Sequence, residues 1–314
     1  MAMGRSFCVA LVGLNGHIVE VEADIGQTLP NFVLLGLPDA SLNEAKERIR
    51  AAAHNSGIPL SRRKITVNLV PASLPKKGSA FDLAIVMAAL RAAGDIRATG
   101  RTVFIAELGL DGRLREVRGI LPAVMAAVRA GFADFAVAVG NLAEAGLVPG
   151  AKVVGYPSLA RVALAFGADP HELTLDDLPA VAVRAGHSIP GGTAPVPEPD
   201  LLDVAGQAEA RLALEVAAAG GHHLMMVGPP GAGKTMLAER LPGLLPDLDD
   251  AEAMEVTAIH SLDDRDASVS CLIRRPPYER PHHTASTVAI IGGGSGIPRP
   301  GAASRAHRGV LFLD

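Results

Sequence analysis

The sequence predicts two domains of different class, an α+β domain over residues 1–175 and the first part of an α/β domain over residues 201–314. Three observations lead to this division. Turn signals typical of β-hairpins alternate with helical patterns in the first half. In the second half an apolar run, a glycine-rich turn and a helical pattern follow one another directly. Residues 176–200 between them are rich in proline and glycine, which predicts an extended linker.

The first domain opens with a predicted β-hairpin. Apolar segments over residues 7–14 and 18–23 flank Asn15 and Gly16, and both residues accept the positive φ of a type I′ turn. Ser41 and Glu44 have the spacing of a capping box, which predicts a helix over residues 41–55. The remaining predicted elements are a strand at 64–70, a helix at 81–93 closed by Gly94, a second hairpin of 103–110 and 114–117 around Asp111-Gly112, a helix at 120–130, strands at 135–139 and 152–154, and a helix at 158–166.

Composition narrows the class of protein. Hydrophobic residues make up 49% of the chain and charged residues 20%, so the protein is globular rather than disordered. Aromatic residues are only 3%, which argues against an aromatic base-stacking surface. The net charge of −4 gives no general attraction to nucleic acid, so any such contact must be local. Cys8 and Cys271 lack metal-ligand spacing, and no apolar stretch reaches the roughly 20 residues of a membrane helix; we therefore expect a cytoplasmic protein with no membrane partner.

The strongest local signal is a glycine-rich segment in the second domain that fits the phosphate-binding pattern G-x-x-x-x-G-K-[ST]. Its residues are Gly228, Pro229, Pro230, Gly231, Ala232, Gly233, Lys234 and Thr235. The apolar run 224–227 predicts a buried strand before it, and residues 236–240 favour a helix after it. Lys234 is positioned for the β- and γ-phosphates and the Thr235 hydroxyl for Mg²⁺. The segment therefore predicts a site for ATP and Mg²⁺, rather than a loop that only connects a strand to a helix.

The last five residues carry a second, weaker signal for the same site. The apolar run 310–313 predicts a strand that ends in Asp314, as in a Walker-B motif, where the aspartate holds Mg²⁺. Lys234 and Asp314 are accordingly the candidate catalytic residues. Helices are predicted at 207–219 and 251–259, with an acidic turn at Asp263, Asp264 and Asp266.

A locally basic segment precedes that strand. Glu279 is the only acidic residue between Cys271 and Leu313. The candidate nucleic-acid contacts in this segment are Arg274, Arg275, Arg299, Arg305 and Arg308. A solvated face or a subunit interface is the alternative interpretation. The glycine run 292–296 lacks the Lys-Ser/Thr pair, so it is predicted to be a flexible hairpin. The pairs His222-His223 and His282-His283 are interpreted as hydrogen-bonding residues, because adjacent side chains seldom bind one metal ion.

Together these stretches resemble the magnesium-chelatase-like AAA+ ATPases of the ComM/YifB type. The residues that carry the resemblance are 36–39, 67–72, 77–83 and 109–114 in the first domain, and 203–207, 221–224, 280–284, 292–294, 299–301 and 306–314 in the second. The resemblance covers nearly the whole chain. It implies a first domain of the ribosomal S5 type, as in Lon protease, and a ring-forming ATPase domain. It also implies a hexameric, ATP-driven DNA remodelling or branch-migration motor.

The resemblance also implies what this chain lacks. In Lon-type peptidases a Ser-Lys pair performs catalysis, and the resemblance places Ala80 at the position of the nucleophile. Ser79 is one residue away and has no predicted base partner, so we expect a domain without protease activity. Family members continue beyond the Walker-B aspartate with a water-orienting glutamate, sensor residues, an arginine finger and a lid. We therefore expect this chain to bind ATP but not to hydrolyse it at a useful rate.

Three other functions stay open at this point. A chelatase-type remodeller would insert Mg²⁺ into a porphyrin with the same ATPase domain, although the long first domain argues against it. A peptidase is suggested by the fold of the first domain. A regulatory or interaction module would use the nucleotide structurally rather than catalytically.

Overall fold

A computed structural model describes residues 3–26, 29–36, 40–58, 60, 63–175, 181–184, 199–263, 270–293 and 299–314, with the side chains of 40–43 and 181–184 outside the described part. These residues form two compact units. Within the described ranges the first unit extends to Arg184 and the second begins at Pro199. The described part contains no helix that is both long enough and apolar enough to cross a membrane.

The first unit is a mixed α/β structure built on an eight-stranded sheet. Its strands are β1 (Gly4–Val12), β2 (Asn15–Gly26), β3 (Asn31–Leu35), β4 (Lys64–Val70), β5 (Val103–Ile105), β6 (Glu107–Leu108), β7 (Leu114–Arg115), β8 (Asp134–Ala138), β9 (Lys152–Tyr156) and β10 (Val181–Arg184). The main sheet has the order β10-β9-β8-β5-β1-β2-β4-β3. The pairs along β1-β5-β8-β9 are parallel, as is β3-β4, whereas β1-β2, β2-β4 and β9-β10 are antiparallel. β6 and β7 form a separate short hairpin.

Helix α2 lies at the centre of the first core. The helices of this unit are α1 (Ala40–Asn55), α2 (Asp82–Ala93), α3 (Ile120–Arg129), α4 (Leu142–Ala145) and α5 (Leu159–Ala165). The α2 sequence is apolar on every side, which predicts burial all round, and residues 82–90 are all buried. A Cβ at Gly4 of β1 would lie 2.0 Å from the Ala88 carbonyl oxygen, so glycine allows the strand to contact the helix. Gly94 ends α2 with a φ of +82°, which confirms both the predicted helix and its stop.

The first hairpin forms, but the prediction of its turn was wrong. Val12 pairs with Asn15, so the two-residue turn is Gly13-Leu14, with φ at Gly13 of +61°. Glycine at the first central position is typical of a type II′ turn. Asn15 and Gly16 belong to β2 instead. A Cβ at Gly16 would lie 2.4 Å from the Ala126 Cβ of α3, so this glycine accommodates helix packing rather than a turn.

Most other predictions for the first unit are confirmed within a few residues. The strand at 64–70 is β4, the helix at 41–55 is α1, and the helix at 120–130 is α3. The helix at 158–166 is α5, and the Arg161 N–H donates to its N-cap, Ser158, at 3.4 Å. The Ser41 side chain of the predicted capping box lies outside the described residues. In the second predicted hairpin β6 pairs with β7 around Asp111-Gly112, while β5 belongs to the main sheet.

One strand lies inside the range predicted to be a linker. β10 spans Val181–Arg184 and pairs antiparallel with β9 at the edge of the first sheet. The prediction of a linker over 176–200 rested on composition, and the prolines concentrate in its second half. Residues 176–180 and 185–198 lie outside the described part. The first unit therefore extends at least nine residues beyond the predicted limit of 175 (184 − 175 = 9).

The second unit consists mainly of short helices around two small apolar clusters. Its elements are α6 (Ala208–Gly220), α7 (Lys234–Ala238), α8 (Leu241–Leu244), α9 (Asp250–His260), β11 (Tyr278–Glu279), α10 (Thr287–Ile291), β12 (Gly292–Gly293), β13 (Arg299–Pro300), α11 (Ala302–Arg305) and β14 (Val310–Leu311). One cluster contains Leu201, Val204, Leu214 and Leu237, and the other contains Leu248, Ala253 and Val256. The predicted helices at 207–219 and 251–259 are α6 and α9. Residues 264 and 266 of the predicted acidic turn lie outside the described part, as do residues 294–296 of the glycine run.

The prediction of a buried strand at 224–227 was wrong. These residues form no strand, and Met225 and Val227 are each 86% exposed. Met226 alone of the four packs on the apolar cluster of α6 and α7. A strand needs neighbours for its N–H and C=O groups, and the ladders described in this unit are two residues long, β11 with β14 and β12 with β13. The strand predicted at 310–313 is accordingly reduced to Val310–Leu311.

A buried ion pair joins α1 to α2 in the first unit. Arg48 Nε and Nη2 donate to the Asp82 carboxylate at 3.0 and 3.3 Å, and the Leu108 N–H donates to it at 3.3 Å. The Asp82 side chain is fully buried, whereas that of Arg48 is 22% exposed. Burial raises the pKa of Asp82 to about 6, and the Arg48 guanidinium opposes this rise. The pair therefore keeps a carboxylate in the core that would otherwise bind a proton.

We expect Arg48→Met to destabilise the first unit by about 3–5 kcal/mol at pH 8, because it leaves an uncompensated buried carboxylate. The folded-state pKa of Asp82, about 6, lies above its ordinary value of 3.8. The contribution of this group to stability is thus complete below pH 3.8 and is lost as pH rises through 6. Since the substitution raises this pKa further, the loss of stability will be smaller at pH 5 than at pH 8. Urea unfolding followed by hydrogen exchange of the α2 amides measures both values.

Arg50→Met is the matched control for this experiment. Arg50 lies on the same helix and pairs with Glu47 at 3.1 Å, where solvent screens the interaction. Its substitution should change the free energy of unfolding by at most about 1 kcal/mol at either pH. A loss of stability in Arg48→Met that is equal at pH 5 and pH 8 would contradict titration of Asp82 as its cause.

Candidate nucleotide site

The glycine-rich loop is an exposed turn that ends at the first residue of α7. Gly231 and Gly233 have φ of +82° and +86°, which places both in the left-handed region that favours glycine. The Ala232 N–H donates to the Pro229 carbonyl at 3.2 Å and closes the turn. The backbone therefore reverses direction within a few residues. Gly233 then serves as the N-cap of α7.

Lys234 holds the loop in a closed form. Its Nζ donates to the carbonyl oxygens of Gly228 and Pro229 at 3.0 and 3.2 Å. The chain thus wraps around its own ammonium group. Phosphate oxygens are stronger acceptors for this group than neutral carbonyls, because the hydrogen bond then joins two charges. A phosphate that enters the loop can therefore take over the ammonium without leaving a buried charge.

Apolar packing and one arginine hold the α7 helix in place. Leu237 is buried in the cluster with Leu201 and Leu214. Arg240 donates to the Asp200 carbonyl through Nε and to the Met236 carbonyl through Nη1, both at 2.8 Å. The helix has only five residues, so few peptide dipoles add up at its N-terminus. Sequence analysis did not single out Arg240, and no local pattern marks it.

Thr235 and Asp314 lie in different parts of the second unit. Thr235 lies in the first turn of α7, and Asp314 is exposed just after β14. Within the described part of the chain, no hydrogen bond or ion pair joins Asp314 to the loop. The end of α7 does approach β14, because Arg280 pairs with Glu239 at 3.3 Å and its Cζ lies 5.9 Å from the centre of the Phe312 ring. The structure therefore links the two elements without direct contact between the two predicted Mg²⁺ ligands.

Three of the five candidate nucleic-acid arginines form surface ion pairs. Their partners are Asp250 for Arg274 at 2.7 Å, Asp247 for Arg275 at 2.8 Å, and Glu252 and Glu255 for Arg308 at 2.6 and 2.9 Å. All four carboxylates precede the basic segment in the chain. Arg299 is exposed on β13. The folded structure thus neutralises much of the charge that the sequence concentrates in this segment.

Arg305 is buried rather than exposed. Its Nε and Nη2 each donate to the Glu279 carboxylate at 2.8 Å, and Nη1 donates to the Pro300 carbonyl at 2.9 Å. Asp263 lies 3.4 Å from Nε, and the Arg305 side chain is 7% exposed. A guanidinium whose donors are used in the interior has no surface to offer a DNA phosphate. The geometry therefore assigns Arg305 to the core of the second unit.

Comparison with known proteins adds to this geometry. A family model described as magnesium chelatase, subunit ChlI, matches residues 200–314, and one described as subunit ChlI of Mg-chelatase matches residues 21–141. An uncharacterized protein of Mycobacterium tuberculosis is 50% identical over 316 residues. The YifB protein of Escherichia coli is 41% identical over 307 residues, and competence protein ComM of Haemophilus influenzae is 38% identical over 318. These alignments cover 97–100% of this chain.

The chain belongs to the magnesium-chelatase-like family of the ComM/YifB type. The family resemblance predicted from the sequence is thus confirmed. The family is part of the AAA+ ATPase superfamily. The chain spans only 58–60% of the length of these relatives.

The first unit of this ComM/YifB-type protein gives Ser79 a partner that the sequence did not predict. The Ser79 hydroxyl donates to the Glu107 carboxylate of β6. Lys76, three residues before Ser79, is fully buried, and its Nζ donates to the carbonyls of Gly36 and Pro71. Burial lowers the pKa of Lys76. The sequence predicted no base partner for Ser79, and the structure places a carboxylate there, although not the lysine of a Ser-Lys pair.

The histidine pairs do not form a metal cluster within the described residues. That part of the chain contains no group of three or more His, Cys, Asp or Glu side chains that could hold a metal ion. His282 Nδ1 lies 2.7 Å from the Thr284 hydroxyl, and the ring of His282 lies 4.1 Å from that of His283. For His282 the predicted hydrogen-bonding role is confirmed.

We expect Arg305→Met to destabilise the second unit by about 3–5 kcal/mol, because Glu279 and Asp263 then remain buried without a counter-charge. Arg274→Met is the matched control, since Arg274 and Asp250 are exposed and such pairs contribute about 0–1 kcal/mol. Hydrogen exchange of the α9 amides under increasing urea measures both changes. Equally small effects of the two substitutions would contradict the core role of Arg305.

Proposed function

We propose that the second unit binds ATP together with Mg²⁺ as the nucleotide-binding part of an AAA+ ATPase. One observation carries this proposal: the loop from Gly228 to Thr235 is exposed over residues 228–231, turns through two left-handed glycines, and its lysine ammonium binds two carbonyls of the same loop. Such a loop offers backbone N–H groups and one mobile positive charge to a phosphate chain. Family membership supports the same conclusion.

The residues of the loop fit the chemistry of a nucleotide and its metal. Phosphates would receive hydrogen bonds from the loop N–H groups and from Lys234, which exchanges two neutral carbonyls for charged oxygens. Thr235 and Asp314 would hold Mg²⁺, which neutralises charge between the phosphates. Mg²⁺ in such sites usually keeps several waters and takes only one or two protein ligands. Two oxygen ligands that do not touch each other are consistent with that requirement.

For the first unit we propose a domain of the ribosomal S5 type without protease activity. The mixed sheet with α2 buried against it supports a domain with its own core. Ala80 has no nucleophilic atom, and Lys76 uses its amine on two backbone carbonyls. Ala80 therefore cannot be the nucleophile, the Lys76 amine is occupied, and the partner of Ser79 is the Glu107 carboxylate rather than the lysine of a Ser-Lys pair. A role in binding is the function that remains.

For the whole protein we propose an ATP-driven motor that remodels DNA, working as a ring of six copies. Membership of the ComM/YifB family supports this proposal, and one relative is named a competence protein. A chelatase-type remodeller is the second candidate, because both matching family models are named after a magnesium chelatase subunit. A DNA-binding experiment distinguishes the two candidates, because an enzyme that acts on a porphyrin does not need a surface for DNA phosphates.

We expect Lys234→Ala to weaken ATP binding about 10- to 150-fold, because one charge-assisted contact of about 1.5–3 kcal/mol is lost. Titration of a fluorescent ATP analogue with Mg²⁺ measures the effect. Lys152→Ala, which removes an exposed lysine from the first unit, is the control and should leave the affinity unchanged. Equal affinity of the Lys234→Ala and unsubstituted proteins would rule out the loop as the phosphate site.

If the basic segment contacts DNA, binding must weaken as salt rises, with a logarithmic slope of about 0.9 for each phosphate contact. We expect Arg299→Ala to lower that slope by about one contact, because Arg299 is exposed. Arg305→Ala should leave the slope of the folded protein unchanged, because Arg305 is buried. Fluorescence anisotropy with duplex DNA at several salt concentrations gives the slopes. Absence of salt-dependent binding in every oligomeric state would favour the chelatase or interaction functions.

A further inference from the structure

Gln207, the N-cap residue of α6, has an unusual backbone conformation. Its φ and ψ are +51° and +42°, in the left-handed region. Within the described ranges Arg308 is the one other non-glycine residue with positive φ. Gly206 before it also has a positive φ, +71°. In this region a side chain lies too close to its own backbone, which costs free energy. The contacts that Gln207 makes in this conformation must offset that cost.

The conformation directs the Gln207 side chain onto the phosphate loop. Its Nε2 donates to the carbonyl oxygen of Ala232 at 3.1 Å. A Cβ at Gly233 would lie 2.9 Å from the same Nε2, which is closer than real Cβ contacts. The amide group of Gln207 therefore lies directly against the peptide that joins Ala232 to Gly233. Glycine is favoured at position 233 by its φ of +86°.

Holding the Ala232 carbonyl also fixes the direction of the next N–H group. A trans peptide is planar, and its C=O and N–H point in opposite directions. When Gln207 binds the Ala232 oxygen on one side, the Gly233 N–H must point to the other side of the chain. That N–H belongs to the part of the loop whose N–H groups bind phosphate in loops of this pattern. Gln207 therefore acts on a phosphate ligand through the peptide, without touching it.

Gln207 is held by a rigid part of the unit. Its own carbonyl accepts the Arg211 N–H at 2.9 Å, the first hydrogen bond of α6. Leu214 of α6 packs against Leu237 of α7 in a shared cluster. Helix α6 and the helix that follows the loop are thus parts of one packed structure. A contact from this base to the loop can orient a peptide more reliably than contacts within the loop itself.

We propose that Gln207 is a positioning residue of the phosphate site: its amide orients the Ala232–Gly233 peptide so that the Gly233 N–H meets a phosphate oxygen. The inference rests on the proposed ATP-binding function and adds a residue outside the loop to it. Its consequence is specific to phosphates. Loss of the amide weakens every ligand that uses the loop, by the same factor, whether or not the ligand carries a base.

The experiment uses the 314-residue chain with two ligands, Mg²⁺-ATP and tripolyphosphate. Tripolyphosphate is measured by competition against a fluorescent ATP analogue. Gln207→Met keeps the length of the side chain and removes its donor. We expect it to weaken both ligands about 3- to 10-fold, the range for loss of one hydrogen bond. Glu209→Gln, an exposed substitution in the first turn of α6, is the matched control and should change neither affinity.

The possible outcomes separate this inference from the proposed function. Equal binding of both ligands to the Gln207→Met and unsubstituted proteins overturns the inference and leaves ATP binding intact. A loss for ATP without a loss for tripolyphosphate also overturns it, because Gln207 would then contact the nucleoside. If the folded, unsubstituted protein binds neither ligand, the proposed function itself is rejected.

A second variant covers the case in which methionine prevents folding. Gln207→Gly removes the amide and at the same time relaxes the left-handed backbone, so the folded state is retained. The same 3- to 10-fold loss for both ligands is expected. Unchanged affinities in a folded Gln207→Gly protein would overturn the inference in the same way.

Discussion

The proposed function requires the glycine-rich loop to expose its backbone groups to a ligand and still hold one shape, which places the supporting contacts outside the loop. Hydrogen bonds inside the loop are few: the turn at Pro229 and the two bonds of the Lys234 ammonium. More bonds within the loop would use the N–H groups that phosphates need. Further contacts therefore come from outside the loop. The Gln207 amide donates to the Ala232 carbonyl, and Leu237 of α7 packs in the apolar cluster. The shape of the loop therefore depends on residues of α6 and α7 outside the loop as well as on the loop itself.

Buried charge plays a comparable part in both units. Asp82 in the first unit and Arg305 in the second lie in the interior, and each is balanced by partners far away in the sequence. The separation is 34 residues for Arg48 and Asp82 and 26 for Arg305 and Glu279. Such pairs connect elements that are distant in the sequence. Such a pair adds little net stability to the fold. Removing one partner is strongly destabilising, however, because it leaves the other charge in the interior without a counter-charge.

Ion pairs in the folded unit also reduce the positive charge of the basic segment. Six arginines between residues 274 and 308 give a cationic stretch in the sequence. In the folded unit, carboxylates of α9 and of the residues before it neutralise most of them. The excess of positive charge is therefore a property of the sequence of this segment and is much smaller on the folded surface. Arg305 is buried and contributes little to a field that DNA would experience, whereas Arg299 is exposed.

The sequence by itself determined the features that depend on neighbours along the chain. Helix α2 ends where Gly94 predicts, and helices α3 and α5 lie within one residue of their predicted ranges, because helical hydrogen bonds join residues four apart. The phosphate-binding pattern is contiguous, so its tight turn also followed from the sequence. Tertiary structure decided what depends on distant partners. No strand forms at 224–227, Arg305 is buried, and Gln207 reaches Ala232, 25 residues away. Strand pairing, ion pairs and such long-range contacts all need a second segment, and the local sequence does not specify which segment that will be.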